Sequence, residues 1–199
     1  MNRNTALNRR QAVKGLLYGT VAATTIAALA EPAAAHPDHT PATNAVAARQ
    51  VQVDVDRDAQ VIVDLSITID APLAAVWQLH TAIDQWPSWQ QDINRAELTG
   101  PLRPGGSFAW ETHGLPIVST IREVRPLRRI VWGGPALGID GVHVWTFTPT
   151  HHGVVVHTTE SWDGPPIAAD PEGMRAALTA SLTSWLAALK ATAEAADRR

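Results

Sequence analysis

The chain has no cysteine among its 199 residues, so disulfides, thiolate metal sites, a cysteine nucleophile and a lipid attached to cysteine are all excluded. A fold built from it must be held by packing alone. A long hydrophobic run is also missing. The apolar stretch from Gly15 to Ala30 is about sixteen residues of Ala- and Thr-rich sequence, short of the ~20 that cross a bilayer. Positive charge is scarce as well. The first 35 residues carry four of the 16 basic and one of the 19 acidic residues, leaving the remainder near −6. Such a surface is poorly suited to nucleic acid or anionic membranes. No internal repeat is visible, and 45% hydrophobic content suits one core.

The amino terminus has the form of a twin-arginine export signal. Arg9-Arg10 precede the apolar run, and Ala33-Ala34-Ala35 offer small residues to a peptidase. Residues 1–35 are therefore predicted to be a cleaved signal peptide, with export to a periplasm or the exterior and no stable membrane insertion afterwards. Residues 36–49 read as a flexible lead-in. Cleavage after Ala35 would expose His36, but a copper site there needs another nitrogen ligand that a flexible tail does not hold in place. No metal and no cofactor is expected.

The folded domain is predicted to span 50–197. Val51 to Val55 alternate apolar with polar residues, with Asp56-Arg57-Asp58 either a turn or part of a longer strand. Val61, Val63, Leu65, Ile67 and Ile69 then alternate with polar residues as a half-buried strand does. A helix is predicted to follow at once, with Asp70 as N-cap, Pro72 near its start, and Leu73, Val76, Trp77 and His80 on one face. Trp86-Pro87-Ser88-Trp89 breaks it. Six strands are predicted at 95–99, 107–112, 115–124, 129–134, 142–148 and 154–162, with 135–140 read as a loop. A closing helix follows, capped by Asp170, with Met174, Leu178, Leu182, Trp185 and Leu189 on one stripe. This order is an α+β arrangement in which a curved sheet wraps its apolar face around the last helix.

Turn positions set the register. A turn at His151-His152 places His143 opposite Glu160, Trp145 opposite Thr158, and Phe147 opposite Val156. A turn at His113-Gly114 places Phe108 opposite Ser119 and Trp110 opposite Ile117, and a four-residue turn at 125–128 places Ile121 opposite Trp132. Trp110, Trp132, Trp145 and Trp162 then share the inner face. Large side chains fill cores, but a concave Trp-lined sheet facing Met174 and Trp185 also suits a flat or greasy ligand. Candidate ligand contacts are Trp77, Trp89, Trp110, Ser119, Trp132, Trp145, Thr158, Met174 and Trp185. Trp77, Trp86 and Trp89 are placed at the lid end of the cavity. His143 and Glu160 are candidate proton-transfer residues, because a carboxylate beside an imidazole fixes its tautomer and tunes its pKa. No nucleophile, oxyanion hole or metal set accompanies them. Glu111 near Arg122, the arginines at 122–129, and His157 are assigned to the solvated exterior.

The segments IDAPLAAVW, IDQWPSW, GPLRPGGSFAW, IVSTIREVRP, IVWGG, GVHVWTF and TTESWDG, in that order, resemble the polyketide cyclase/dehydrase-like proteins of the START, or Bet v 1-like, superfamily. The resemblance implies a helix-grip fold, a seven-stranded antiparallel sheet gripping a long carboxy-terminal helix with a ligand tunnel between them. It implies a small hydrophobic or aromatic ligand and leaves the oligomeric state open. Two further functions are weighed against a binding protein. One is a cyclase- or dehydratase-like enzyme using His143 and Glu160, and the other is a partner-binding module with a filled core.

Overall fold

The computed structural model describes residues 52–198, so the predicted signal at 1–35 and lead-in at 36–49 lie outside the described residues. Seven strands run β1 (Val61–Ile69), β2 (Ile93–Thr99), β3 (Ser107–Thr112), β4 (Leu115–Arg125), β5 (Arg129–Ala136), β6 (Ile139–Pro149) and β7 (Val154–Asp163). They form one antiparallel sheet in the order β1-β7-β6-β5-β4-β3-β2. Three α-helices accompany it, α1 (Leu73–Thr81), α2 (Pro165–Ala169) and α3 (Pro171–Asp197), with a 3₁₀ turn at Ile83–Ser88. This is the α+β helix-grip architecture, with the long α3 lying on the inner face of the sheet.

The cause of α3 is written at its start. Asp170 Oδ1 accepts from the Gly173 amide at 2.9 Å, a cap that contributes about 1 kcal/mol, and Pro171 occupies the first turn without a wasted donor. The predicted stripe then goes inward, with Leu178, Leu182, Trp185 and Leu189 all buried. The first helix differs from expectation. It begins at Leu73 with Pro72, which has no side-chain acceptor, in the cap position, so Asp70 stands two positions too early to cap it, and the Asp70 amide donates to Glu194 Oε1 at 2.9 Å.

Register follows the turns. His143 pairs with Glu160, Trp145 with Thr158 and Phe147 with Val156; Phe108 pairs with Ser119 and Trp110 with Ile117. His113 and Gly114 hold φ of 50° and 78°, the double positive φ of a two-residue hairpin turn whose twist matches its strands. The β4–β5 turn departs from the predicted four residues. Arg125 pairs directly with Arg129 across a three-residue loop, and a register shift between Ile121 and Glu123 restores Ile121 opposite Trp132. Without that bulge the inward set of β4 would be flipped.

The structure differs from the sequence pattern at 135–140 and takes one of the two alternatives at 56–58. The predicted loop at 135–140 is mostly strand, since Pro135 pairs with Asp140 and Ala136 with Ile139 around a two-residue turn at Leu137-Gly138, with φ of 53° and 82°. Val53 and Val55 form no strand of the sheet, and Asp56–Asp58 is a turn. Val55 instead packs on the outer face against Val131, Val142 and Val144. Arg129, assigned to solvent, is buried beneath this segment, donating to the Val53 carbonyl and pairing with Glu123 at 3.3 Å. Glu111 binds Asn94 at 3.1 Å, and His157 meets Asp64 at 2.7 Å on the outer face.

Candidate functional site

One end of the space between sheet and helix is filled and the other is hollow. The filled end is aromatic. Trp86 is completely buried, packs edge-on to Trp185 at 4.9 Å and to Phe108 at 5.4 Å, and donates its indole N–H to the His80 carbonyl at 2.8 Å. His80 lies among Trp145, Phe147, Trp132 and Trp185 at centroid distances of 4.5 to 6.2 Å. Neither of its ring nitrogens has a partner among the described residues. Burial pushes its pKa down to about 3, so the ring is neutral and acts as packing.

The hollow end is a cavity of about 850 Å³ between β3–β7 and the first half of α3. Its existence traces to small residues. Gly134 pairs with Gly141 across β5 and β6, leaving no side chain at the middle of the inner face. Ala177, Ala180 and Ser181 of α3 line the same space. A Cβ on Gly141 would meet only ordinary contacts, its nearest neighbours being Trp162 Cδ1 at 3.5 Å, Trp162 Nε1 at 3.7 Å and Glu160 Oε1 at 3.9 Å. Leu115 and Leu137, 45% and 62% exposed, belong to the lining and mark the mouth beside the two hairpin turns.

The predicted candidates divide between the two ends. Trp110, Ser119, Trp132, His143, Glu160, Met174 and Trp185 line the cavity. Trp77, Trp89, Trp145 and Thr158 do not, because each is spent on packing at or near the filled end. Trp77 meets Phe147 edge-on at 5.2 Å, Trp89 meets Trp185 at 5.8 Å, Trp145 is sealed behind Trp132 and His143, and Thr158 is buried beneath His143. The trio Trp77, Trp86 and Trp89 is thus part of a solid plug rather than a lid. Trp162, placed on the inner face by the register, joins the lining, and the residues not singled out from sequence include Asp92 and the glycine pair. The glycine pair becomes legible once β5 and β6 are continued through 135–140.

The polar groups of the wall form one chain. His143 Nδ1 lies 3.1 Å from Glu160 Oε2, and His143 Nε2 lies 2.7 Å from Thr158 Oγ1. Trp162 Nε1 donates to Glu160 Oε1 at 2.8 Å. Burial pushes the Glu160 carboxyl up to about 7, with the Trp162 N–H pulling the other way. Burial, and then the neighbouring His80, push His143 well below its ordinary range. A neutral imidazole therefore faces a carboxyl that exchanges its proton near neutrality. Thr158 completes either imidazole tautomer, since a hydroxyl both donates and accepts. Such a pair can give or take one proton at Oε2, or anchor a carbonyl or hydroxyl of a bound molecule. Among the described residues no cluster of three or more metal-ligating side chains occurs, and no helix is long and apolar enough to cross a membrane.

Comparison with solved structures places this architecture. A hypothetical protein from Helicobacter pylori is similar with a TM-score of 0.57 at 20% identity, over 67% of this chain and 86% of that one. A START superfamily protein from Mycobacterium smegmatis is similar with a TM-score of 0.57 at 9% identity, over 67% and 97%. A di-domain ARO/CYC protein from the steffimycin biosynthetic pathway is similar with a TM-score of 0.56 at 20% identity, over 68% of this chain but only 51% of that one. At such identities the likeness is one of fold. No curated protein matches the chain in sequence. The family model described as polyketide cyclase / dehydrase and lipid transport matches residues 60–194, from the first strand into the last turns of α3. The chain belongs to the polyketide cyclase / dehydrase and lipid transport family.

Proposed function

We propose that this protein is exported and binds a small, largely apolar or aromatic molecule in the cavity between the sheet and α3. The observation that carries this reading is the cavity itself. About 850 Å³ lies within the range of small-molecule sites, and a mostly apolar wall with a few converging polar groups is their usual make-up. The export part rests on Arg9-Arg10, the short apolar run and Ala33-Ala34-Ala35. An open cavity also speaks against a partner-binding module with a filled core. The test is titration with N-phenylnaphthylamine, a neutral apolar fluorophore. One saturable site with a micromolar Kd is expected, with quenching of the cavity tryptophans. Absence of saturable binding would overturn the reading.

A second reading is favoured by one observation, the Glu160 carboxyl raised to about 7 beside a neutral His143. A general acid or base works best with a pKa near the working pH, so the pair suits the proton transfers of a cyclisation or dehydration. If Glu160 is the acid, turnover of a poly-β-carbonyl substrate falls as pH rises through about 7; if it is the base, turnover falls as pH drops through the same point. Glu160→Gln should remove that limb. A limb that persists in this variant excludes the assignment.

A further inference from the structure

The charge balance of the cavity is one-sided. Two carboxyl-bearing residues, Glu160 and Asp92, line it together with the imidazoles of His143 and, at the β3–β4 turn, His113, and among the described residues no lysine or arginine does. Asp92 accepts from the Ser184 hydroxyl at 2.6 Å. Glu160 accepts from the Trp162 indole, and among the described residues the only basic group within ion-pair distance of it is His143, whose burial holds it neutral. The rest of the wall is rich in indole. Trp110, Trp132, Trp162 and Trp185 all face the same space, and an indole face attracts a cation, the more so when water is excluded. Trp132, His143 and Glu160 are neighbours in register across β5, β6 and β7. Beside them the Gly134–Gly141 pair leaves the wall bare next to Trp162.

We infer that the cavity selects a lipophilic organic cation, an amine or quaternary ammonium on an apolar skeleton, whose positive end seats against the Glu160 carboxyl among the indole rings. This rests on the reading of the cavity as a ligand site. A carboxylate, phosphate or sulfate ligand would bring a further negative charge beside Glu160 and Asp92, with no lysine or arginine in the wall to meet it. A neutral ligand is admitted but leaves the buried carboxyl without a counter-ion. A cation supplies what the wall lacks, and its skeleton takes the apolar remainder.

The experiment is a titration of the full chain with three naphthalene ligands of similar size, naphthylmethylamine, naphthylmethanol and naphthoate, in the wild type and in Glu160→Gln. A charge-assisted contact in a partly desolvated site, aided by cation–π attraction, predicts that the amine binds about tenfold or more tighter than the alcohol, and that naphthoate binds weakest. Glu160→Gln keeps an acceptor for Trp162 and can donate to His143, so it should fold. It should bring the amine within about twofold of the alcohol. An amine no tighter than the alcohol, naphthoate as tight as the amine, or a preference that survives Glu160→Gln would each overturn the cation inference while leaving the binding site standing. Failure of all three ligands to bind would overturn both.

Discussion

Gly141→Phe is expected to abolish ligand binding while leaving the protein folded and at least as stable as the wild type. The position lies in mid-strand on the inner face, opposite Gly134, and a Cβ there meets only ordinary contacts, the nearest at 3.5 Å from Trp162. Glycine inside a strand gives up backbone entropy and buries nothing. An aromatic residue suits the pleated surface better by up to about 1 kcal/mol and gains further by entering an apolar void. The ring would occupy the middle of the space that a ligand needs. Overlap with a ligand is repulsive, which removes more affinity than the loss of one contact, so Kd should rise about a hundredfold or more. Thermal unfolding and probe titration on one preparation check both halves. A variant that binds as before would show that the ligand lies elsewhere.

Gly133→Ala, one residue from that same pair, is expected to do the opposite and damage the fold. Its Cβ would stand 2.1 Å from the Gly141 carbonyl oxygen and 3.1 Å from the Val142 Cα, and these are backbone atoms of the adjoining strand. No side-chain rotation relieves that contact. The β5–β6 pairing would have to separate locally, in the middle of the sheet and directly beneath the cavity floor. The cost should exceed about 3 kcal/mol, the upper part of the range for forced overpacking. Chemical denaturation measures it; a loss below about 1 kcal/mol would contradict the close strand approach. The two glycines therefore serve different ends, Gly133 the closeness of two strands and Gly141 the emptiness of the wall.

Much of this was legible in sequence because it depends on local chemistry. Asp170-Pro171 announces α3, and the stripe Leu178, Leu182, Trp185 and Leu189 faces inward as the helical period requires. The His143–Glu160 pairing follows from a turn centred on His151-His152 and a period of two. What escaped depends on tertiary competition. Asp70 is a good cap by composition, yet the chain there is held from α3, its amide donating to Glu194, and the helix begins only at Leu73 with Pro72 in the cap position. The bulge in β4 compensates a three-residue loop, so Ile121 stands opposite Trp132 as a four-residue turn without a bulge would also place it. The division of tryptophans between plug and wall was also invisible. It depends on how deeply α1 and the 3₁₀ turn push Trp86 and His80 into the sheet, and alternation reveals which face a residue occupies but not what stands in front of it. The Gly134–Gly141 pairing that makes the hollow needs β5 and β6 to continue through 135–140, whose Pro and Gly content reads as loop.

In the proposed function, the bound molecule sits between the sheet and the first half of α3. The chain has two methionines, and Met174 lies on the cavity wall. With isotope-labelled methionine methyl groups, the Met174 resonance can be identified by its loss in Met174→Leu and followed by NMR while N-phenylnaphthylamine is added. A saturating shift of that resonance by the ring currents of the probe, with an intermolecular NOE between them and both effects absent in Gly141→Phe, is the predicted result. Saturable binding that leaves the Met174 methyl unmoved would contradict it.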